Sequence, residues 1–153
     1  DPLWSRGLGD VYKRQGGHLS VMTALHPNER TYPFDAALDV SDATPDFLIP
    51  IYPAYLVAKE DTTTLLPSVK VTPAAPPVCL VHAHDDNGAT SAAASALLYA
   101  EYKKLKLPAE LHIFSSGGHG FGMRKTEKPV SQWPQRVGEW MRAMGYLEPS
   151  VAQ

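Results

Sequence analysis

Two short segments hold the side chains most suited to chemistry: His82-Ala83-His84-Asp85-Asp86 and Gly117-Gly118-His119-Gly120-Phe121-Gly122. A carboxylate that reaches an imidazole fixes its tautomer, orients the ring and stabilises the cation formed when the ring takes a proton. His119 is suited to act as general base and then acid, with Asp85 or Asp86 as its orienter. The glycines around His119 let its loop bring the ring close to a nucleophile without side-chain obstruction. The first segment also admits a different chemistry. His82-x-His84-x-Asp86 spaces two imidazoles for one metal ion, with Asp86 free for a second and His119 as a further ligand.

The acid–base chemistry needs the two segments side by side, and the elements around them predict that. The first follows a β-rich run, Val78 to Val81; the second follows another, Glu110 to Phe114. Between them Thr90 or Ser91 caps a helix to about Leu105, with Ala94, Leu97, Leu98, Tyr102 and Leu105 on one face and Pro108 blocking its continuation. Strand, helix, strand predicts a right-handed crossover between parallel strands, so both loops leave the C-terminal edge of one sheet. On adjacent strands, about 5 Å apart, an acid of one loop can reach a histidine of the other. Ser131 can cap a last helix, with Pro134 in its first turn, Trp133, Val137, Trp140, Met141 and Met144 as its buried stripe and Gly145 as its stop.

Upstream the pattern is thinner. Gly17 to about Leu25 reads as a short helix ended before Pro27, and Asn28 to Thr44 as a loop. Asp46 to Tyr52 is a nearly continuous apolar run, as expected of a strand covered on both faces, although Pro50 within it cannot donate to a ladder. Val57 to Pro76 is polar and irregular and reads as a surface excursion. The first fifteen residues, DPLWSRGLGDVYKRQ, keep neither a helical nor a strand period; they read as translated adaptor or vector sequence, outside the fold. The division is therefore 1–15 leader, 16–148 one α/β domain, and 149–153 tail.

Bulk composition narrows the function classes. The chain has 153 residues, enough for one core, with 44% hydrophobic and 20% charged residues. A formal charge of -2 and the lack of a long basic cluster argue against nucleic acid or an anionic membrane as main partner. The single cysteine, Cys79, excludes an internal disulfide and reads as a small buried hydrophobe. No apolar stretch approaches membrane-spanning length. Neither composition nor the start of the chain assigns a cellular location.

Four segments taken together resemble the α/β hydrolases of the acetyl-xylan-esterase-like group, and the wider lipase/esterase and feruloyl-esterase-like group: Gly16-Gly17-His18-Leu19, Ile51 to Tyr55, the His82–Asp86 loop and the Gly117–Gly122 loop. The similarity runs from Gly16 to about Tyr146 and implies the C-terminal portion of such a domain, a parallel sheet with flanking helices. It implies an acyl- or acetyl-ester hydrolase working on a small-molecule or carbohydrate ester, with no cofactor and no metal. Of the two aspartates, the resemblance places the triad acid on Asp86, and the base on His119. Gly16 and Gly17 match the glycines that close the sharp turn holding the nucleophilic serine. The serine itself would stand at position 14, which is Arg14, inside the leader. Arginine has no hydroxyl for His119 to deprotonate, and the upstream oxyanion segment and nucleophile strand are missing as well, so the chain as written is expected to be inactive. The resemblance also leads to an expectation of an open sheet edge and poor solubility.

Two other classes compete. The His82-x-His84-x-Asp86 spacing resembles the metallo-β-lactamase zinc signature, although Asn87 stands where that signature needs its last histidine. A hydrolase-like module used only for binding would also lack the serine. Less specific readings cover the other residues that stand out. His18 reads as a packed structural histidine. His82 and His84 read as half-satisfied loop residues, and His26 and His112 as solvent-facing residues without a partner. Trp133 and Trp140 read as core, and Tyr52 and Tyr55 as core or as lining of a cleft.

Overall fold

The computed structural model describes residues 16–27, 29, 32–37 and 44–148. The leader, most of the 28–43 loop and the tail lie outside those residues. Residues 16–25 form the first helix, α1. Strand β1 is Val78–Ala83, helix α2 Ala92–Lys104, strand β2 Ala109–Phe114 and helix α3 Trp133–Ala143.

β1 and β2 pair in parallel, in register from Val78 opposite Ala109 to Ala83 opposite Phe114. All six residues of β1 are buried, which requires cover on both faces and explains its unbroken apolar run. Alternation along the strand divides the core in two. Val78 and Leu80 join Val21, Ala24, Ala94, Leu98 and Tyr102, beneath α1 and α2. Cys79, Val81 and Ala83 join Tyr52, Phe121, Val130, Val137 and Trp140, beneath α3. Each fully buried valine or leucine side chain here stabilises the fold by about 1.5–3 kcal/mol.

The apolar run at 46–52 lies along the other edge of β1, also parallel, but it is not a regular strand. Leu48 bridges Val78 and Ile51 bridges Val81. Leu48 N–H donates to Pro77, Cys79 N–H to Leu48, Val81 N–H to Pro50 and Tyr52 N–H to Val81. The missing rung is the one Pro50 would have donated, so a single proline accounts for a ladder reduced to isolated bridges.

α2 and α3 fall close to their predicted spans. Ser91 caps α2, its hydroxyl accepting from Ala93 N–H, and Leu105 ends that helix 39% exposed instead of extending the buried stripe. A 3-10 turn, Pro129–Gln132, precedes α3. Ser131 does not cap α3; its hydroxyl accepts from Thr126 N–H. Gly145, at φ +79°, stops the chain after α3. A further expectation fails. The 57–76 segment is not merely a surface excursion, because Val57, Val69 and Ala75 are buried in the α1–α2 half of the core.

Gly17 shows why a glycine follows the predicted sharp turn. A Cβ there would lie 2.9 Å from Pro53 Cα, so α1 packs its backbone directly on the Ile51–Tyr55 segment.

Candidate functional site

The parallel pairing brings the two loops together at the C-terminal edge of the sheet. His119 Nδ1 lies 2.6 Å from Asp86 Oδ2. Asp86 is 4% exposed. An ionised carboxylate only accepts, so the shared proton belongs to Nδ1 and the lone pair of a neutral ring sits on Nε2. That Nε2 is buried and has no hydrogen-bond partner among the described residues. An unpartnered basic nitrogen opposite an oriented one can accept a proton brought within hydrogen-bond reach, as a general base does. The Tyr52 ring packs edge-on against the His119 ring, centroids 5.1 Å apart, and Phe121 packs edge-on against Tyr52 at 4.6 Å.

Three side chains hold the Asp86 carboxylate. His119 and His82 share Oδ2, at 2.6 Å and 3.2 Å, and the Thr90 hydroxyl donates to Oδ1 at 2.5 Å. Burial pushes the carboxyl up. The hydrogen bonds from His119, His82 and Thr90 outweigh it and hold Asp86 well below the usual carboxylate range. Asp86 is therefore charged at neutral pH inside the protein.

Asp85 turns the other way. Its exposed carboxylate accepts the backbone N–H groups of Gly117 at 2.9 Å and Gly118 at 2.7 Å. The Gly118 bond, against a smaller opposing effect of burial, lowers its pKa. The two adjacent acids thus divide the work on the histidine loop: Asp86 meets the ring and Asp85 anchors the backbone just before it.

The far end of the histidine loop is anchored through its carbonyls. Arg124 donates to Gly120 and Phe121, and Trp133 Nε1–H donates to Gly122 at 2.8 Å. Gly118 and Gly120 flank His119 at φ +64° and +76°, where a side chain would be strained. Space is tight at Gly117, where a Cβ would lie 3.0 Å from both Ala83 Cβ and Val130 Cγ1. A small cavity of about 110 Å³ behind this loop is lined by Gly117, Phe121, Arg124, Thr126, Lys128 and Ser131, and touches neither Asp86 nor His119.

The remaining histidines separate clearly. His82 is fully buried and bonded at both ring nitrogens, not a half-satisfied loop residue. His84 is exposed. The proposed metal set of His82, His84 and Asp86 does not converge. Among the described residues, the three potential ligands within 4.8 Å of one another are Cys79, Glu110 and His112. In that set burial, aided by the Glu110 charge, pushes the Cys79 thiol up to about 12, and Glu110 is already bonded to His112 at 2.7 Å. His112 therefore has a partner, contrary to expectation. So does His26, which bonds Glu29 at 2.9 Å and the Ser68 carbonyl at 2.8 Å. His18 packs edge-on near Tyr55, centroids 6.3 Å apart. Trp140 is buried as expected, and half-buried Trp133 also anchors Gly122. Position 14, where the resemblance puts the serine, lies outside the described residues.

Thr90 and the adjacent-acid division escaped sequence reasoning, although the Asp-Asp pair at a strand end was a signal that two faces would be served. No family model matches the chain, and no curated sequence does. Solved structures do. An acetyl ester-xyloside bifunctional hydrolase from Caldicellulosiruptor lactoaceticus is 25% identical with a TM-score of 0.73, over 87% of this chain and 55% of that one. MGS-M1, an α/β hydrolase from a Medee basin deep-sea metagenome library, is 23% identical with a TM-score of 0.64, over 86% and 51%. The carboxylesterase Cest-2923 from Lactobacillus plantarum WCFS1 is 15% identical with a TM-score of 0.62, over 96% and 66%. The chain spans about half the length of the first two and two thirds of the third.

Proposed function

We propose that this chain, which carries part of the α/β-hydrolase fold, supplies the acid and the base of a carboxylic-ester hydrolase. Asp86 orients His119 and stabilises its cation; His119 Nε2 takes the proton of a nucleophilic hydroxyl as it attacks the ester carbonyl. The same proton then passes to the departing alkoxide, and a water molecule repeats the sequence to release the acid. The reading rests above all on one observation, the buried and unpartnered His119 Nε2 in a ring whose Nδ1 bonds a charged carboxylate.

The nucleophile is a serine in the parent protein, at the position Arg14 occupies in the present sequence. Loss of a triad serine costs on the order of 10⁶ in turnover, so the chain as given is expected to be inactive. The substrate class is a short acyl or acetyl ester, on a carbohydrate in the form that best matches the acetyl ester-xyloside hydrolase neighbour. This chemistry asks for no metal and no cofactor.

Replacing residues 1–15 with an N-terminal half whose Gly-x-Ser-x-Gly run closes on Gly16, with serine at position 14, tests the reading. Hydrolysis of a short acyl nitrophenyl ester should appear, and His119→Ala should abolish it. Full activity after that substitution would refute the assignment. No hydrolysis by the extended protein would favour the alternative that Arg14 points to, a hydrolase-like module that binds without cleaving.

A further inference from the structure

We propose that His82 is a positioning residue for this site: a neutral imidazole, protonated at Nε2, that holds the Asp86 carboxylate at the angle from which it meets His119. The inference rests on the reading of Asp86 and His119 as the acid–base pair and adds a third residue to it.

His82 stands on the α2 face of β1 and is fully buried. A polar ring in such a place is tolerated only when its polar atoms are bonded. Both nitrogens are. Nε2 lies 2.7 Å from the Thr90 carbonyl and 3.2 Å from Asp86 Oδ2. Both partners only accept, so the proton is on Nε2. Nδ1 lies 2.8 Å from the Ser95 hydroxyl, which is fully buried in α2 and can donate to it. With Ser95 donating, the ring is satisfied as a neutral species. A second buried cation on Asp86 would have to share a carboxylate that His119 already needs, at a high desolvation cost.

A histidine kept only for packing would be complete with Ser95 and Thr90. The third contact distinguishes His82, because it reaches the same oxygen that His119 uses. Thr90 ties the other oxygen and, through its carbonyl, the His82 ring as well. Rotation of the carboxylate would break bonds at both oxygens at once. The chain Ser95–His82–Asp86–His119 thus runs from the first turn of α2 to the unpartnered Nε2 as one connected network.

The test uses the chain as it stands, labelled with ¹⁵N-histidine. Its readout is solvent exchange of the His119 Nδ1 proton, with the β1 amides of Cys79 and Val81 as internal reference. In His82→Phe, exchange at His119 should rise about tenfold, as for loss of one bond to a charged group, with the reference amides unchanged. His82→Gln, whose amide can still donate, should restore it to within about twofold. If His82→Phe does not fold, Ser95→Ala decides, because it frees the ring and should give a smaller rise of about threefold. An unchanged His119 signal, or a rise proportional to that of the reference amides, overturns the proposal. Asp86→Asn separates the two ideas: a His119 resonance that survives it refutes the acid–base pair itself, whereas its loss alongside insensitivity to His82 refutes only the positioning role.

Discussion

The loop after β1 and the loop after β2 leave neighbouring parallel strands at the same edge, yet they are built on opposite terms. The first buries its chemistry: His82 is fully buried, Asp86 is 4% exposed, and three side chains hold the carboxylate. The second has little side-chain mass. It is a run of glycines whose backbone is held from outside, by Asp85 at its N–H groups and by Arg124 and Trp133 at its carbonyls. A negative charge that is buried needs full hydrogen bonding, because burial alone would drive the carboxylate toward neutrality. A ring carried on a glycine loop has little side-chain packing to orient it, and the external anchors on the backbone, with Asp86 at Nδ1, supply that orientation.

The sharpest way to break this comparison is to remove the functional group from each of the adjacent acids. In an N-terminally extended, active protein, Asp86→Asn should lower kcat by about 10⁴, since the ring loses the partner that selects its tautomer. Asp85→Asn should cost only about tenfold, through looser placement of His119. Steady-state kinetics on one ester substrate checks both. Equal losses would mean that the two loops do not divide the work as described.

Gly117→Ala probes the histidine loop from the packing side. The added methyl meets Ala83 and Val130 at 3.0 Å. Overpacking of this kind should destabilise the chain by about 1–3 kcal/mol in urea unfolding. A wild-type midpoint would show that the loop is less constrained than its contacts imply.

The acid loop carries the pH signature. Asp86 has a folded pKa depressed below its unfolded value. Its contribution to stability is therefore complete above the unfolded value of about 3.9 and is lost as pH falls through that value toward the folded one. Asp85 is depressed in the same direction. The thermal midpoint should fall below about pH 4, and less steeply in Asp86→Asn if that variant folds. The smallest effect is expected away from both loops. Arg136→Ala removes an exposed ion pair with Glu139 and should move neither unfolding midpoint nor kcat measurably.

Much of this was legible in the residue pattern. β1 was readable because burial on both faces demands a continuous apolar run, and α2 because Ser91 and Pro108 bracket it. Parallel pairing followed from element order, and with it the meeting of Asp86 and His119. What could not be read depended on contacts between distant residues. A proline in an apolar run does not reveal whether the ladder survives around it, and at Pro50 only isolated bridges do. Val57 and Val69 sit in a polar stretch, so their burial came from the tertiary fold and not from local period. His82 looked ordinary because its partners, Thr90 and Ser95, lie eight and thirteen residues on, across a loop and a helix cap.

The central claim is that Asp86, and not its neighbour, carries the hydrogen bond to His119. Proton NMR of the ¹⁵N-histidine-labelled chain tests it most directly. The account predicts a low-field Nδ1 proton on His119 that disappears in Asp86→Asn and persists in Asp85→Asn. A resonance that survives Asp86→Asn, or one lost equally in both variants, would contradict it.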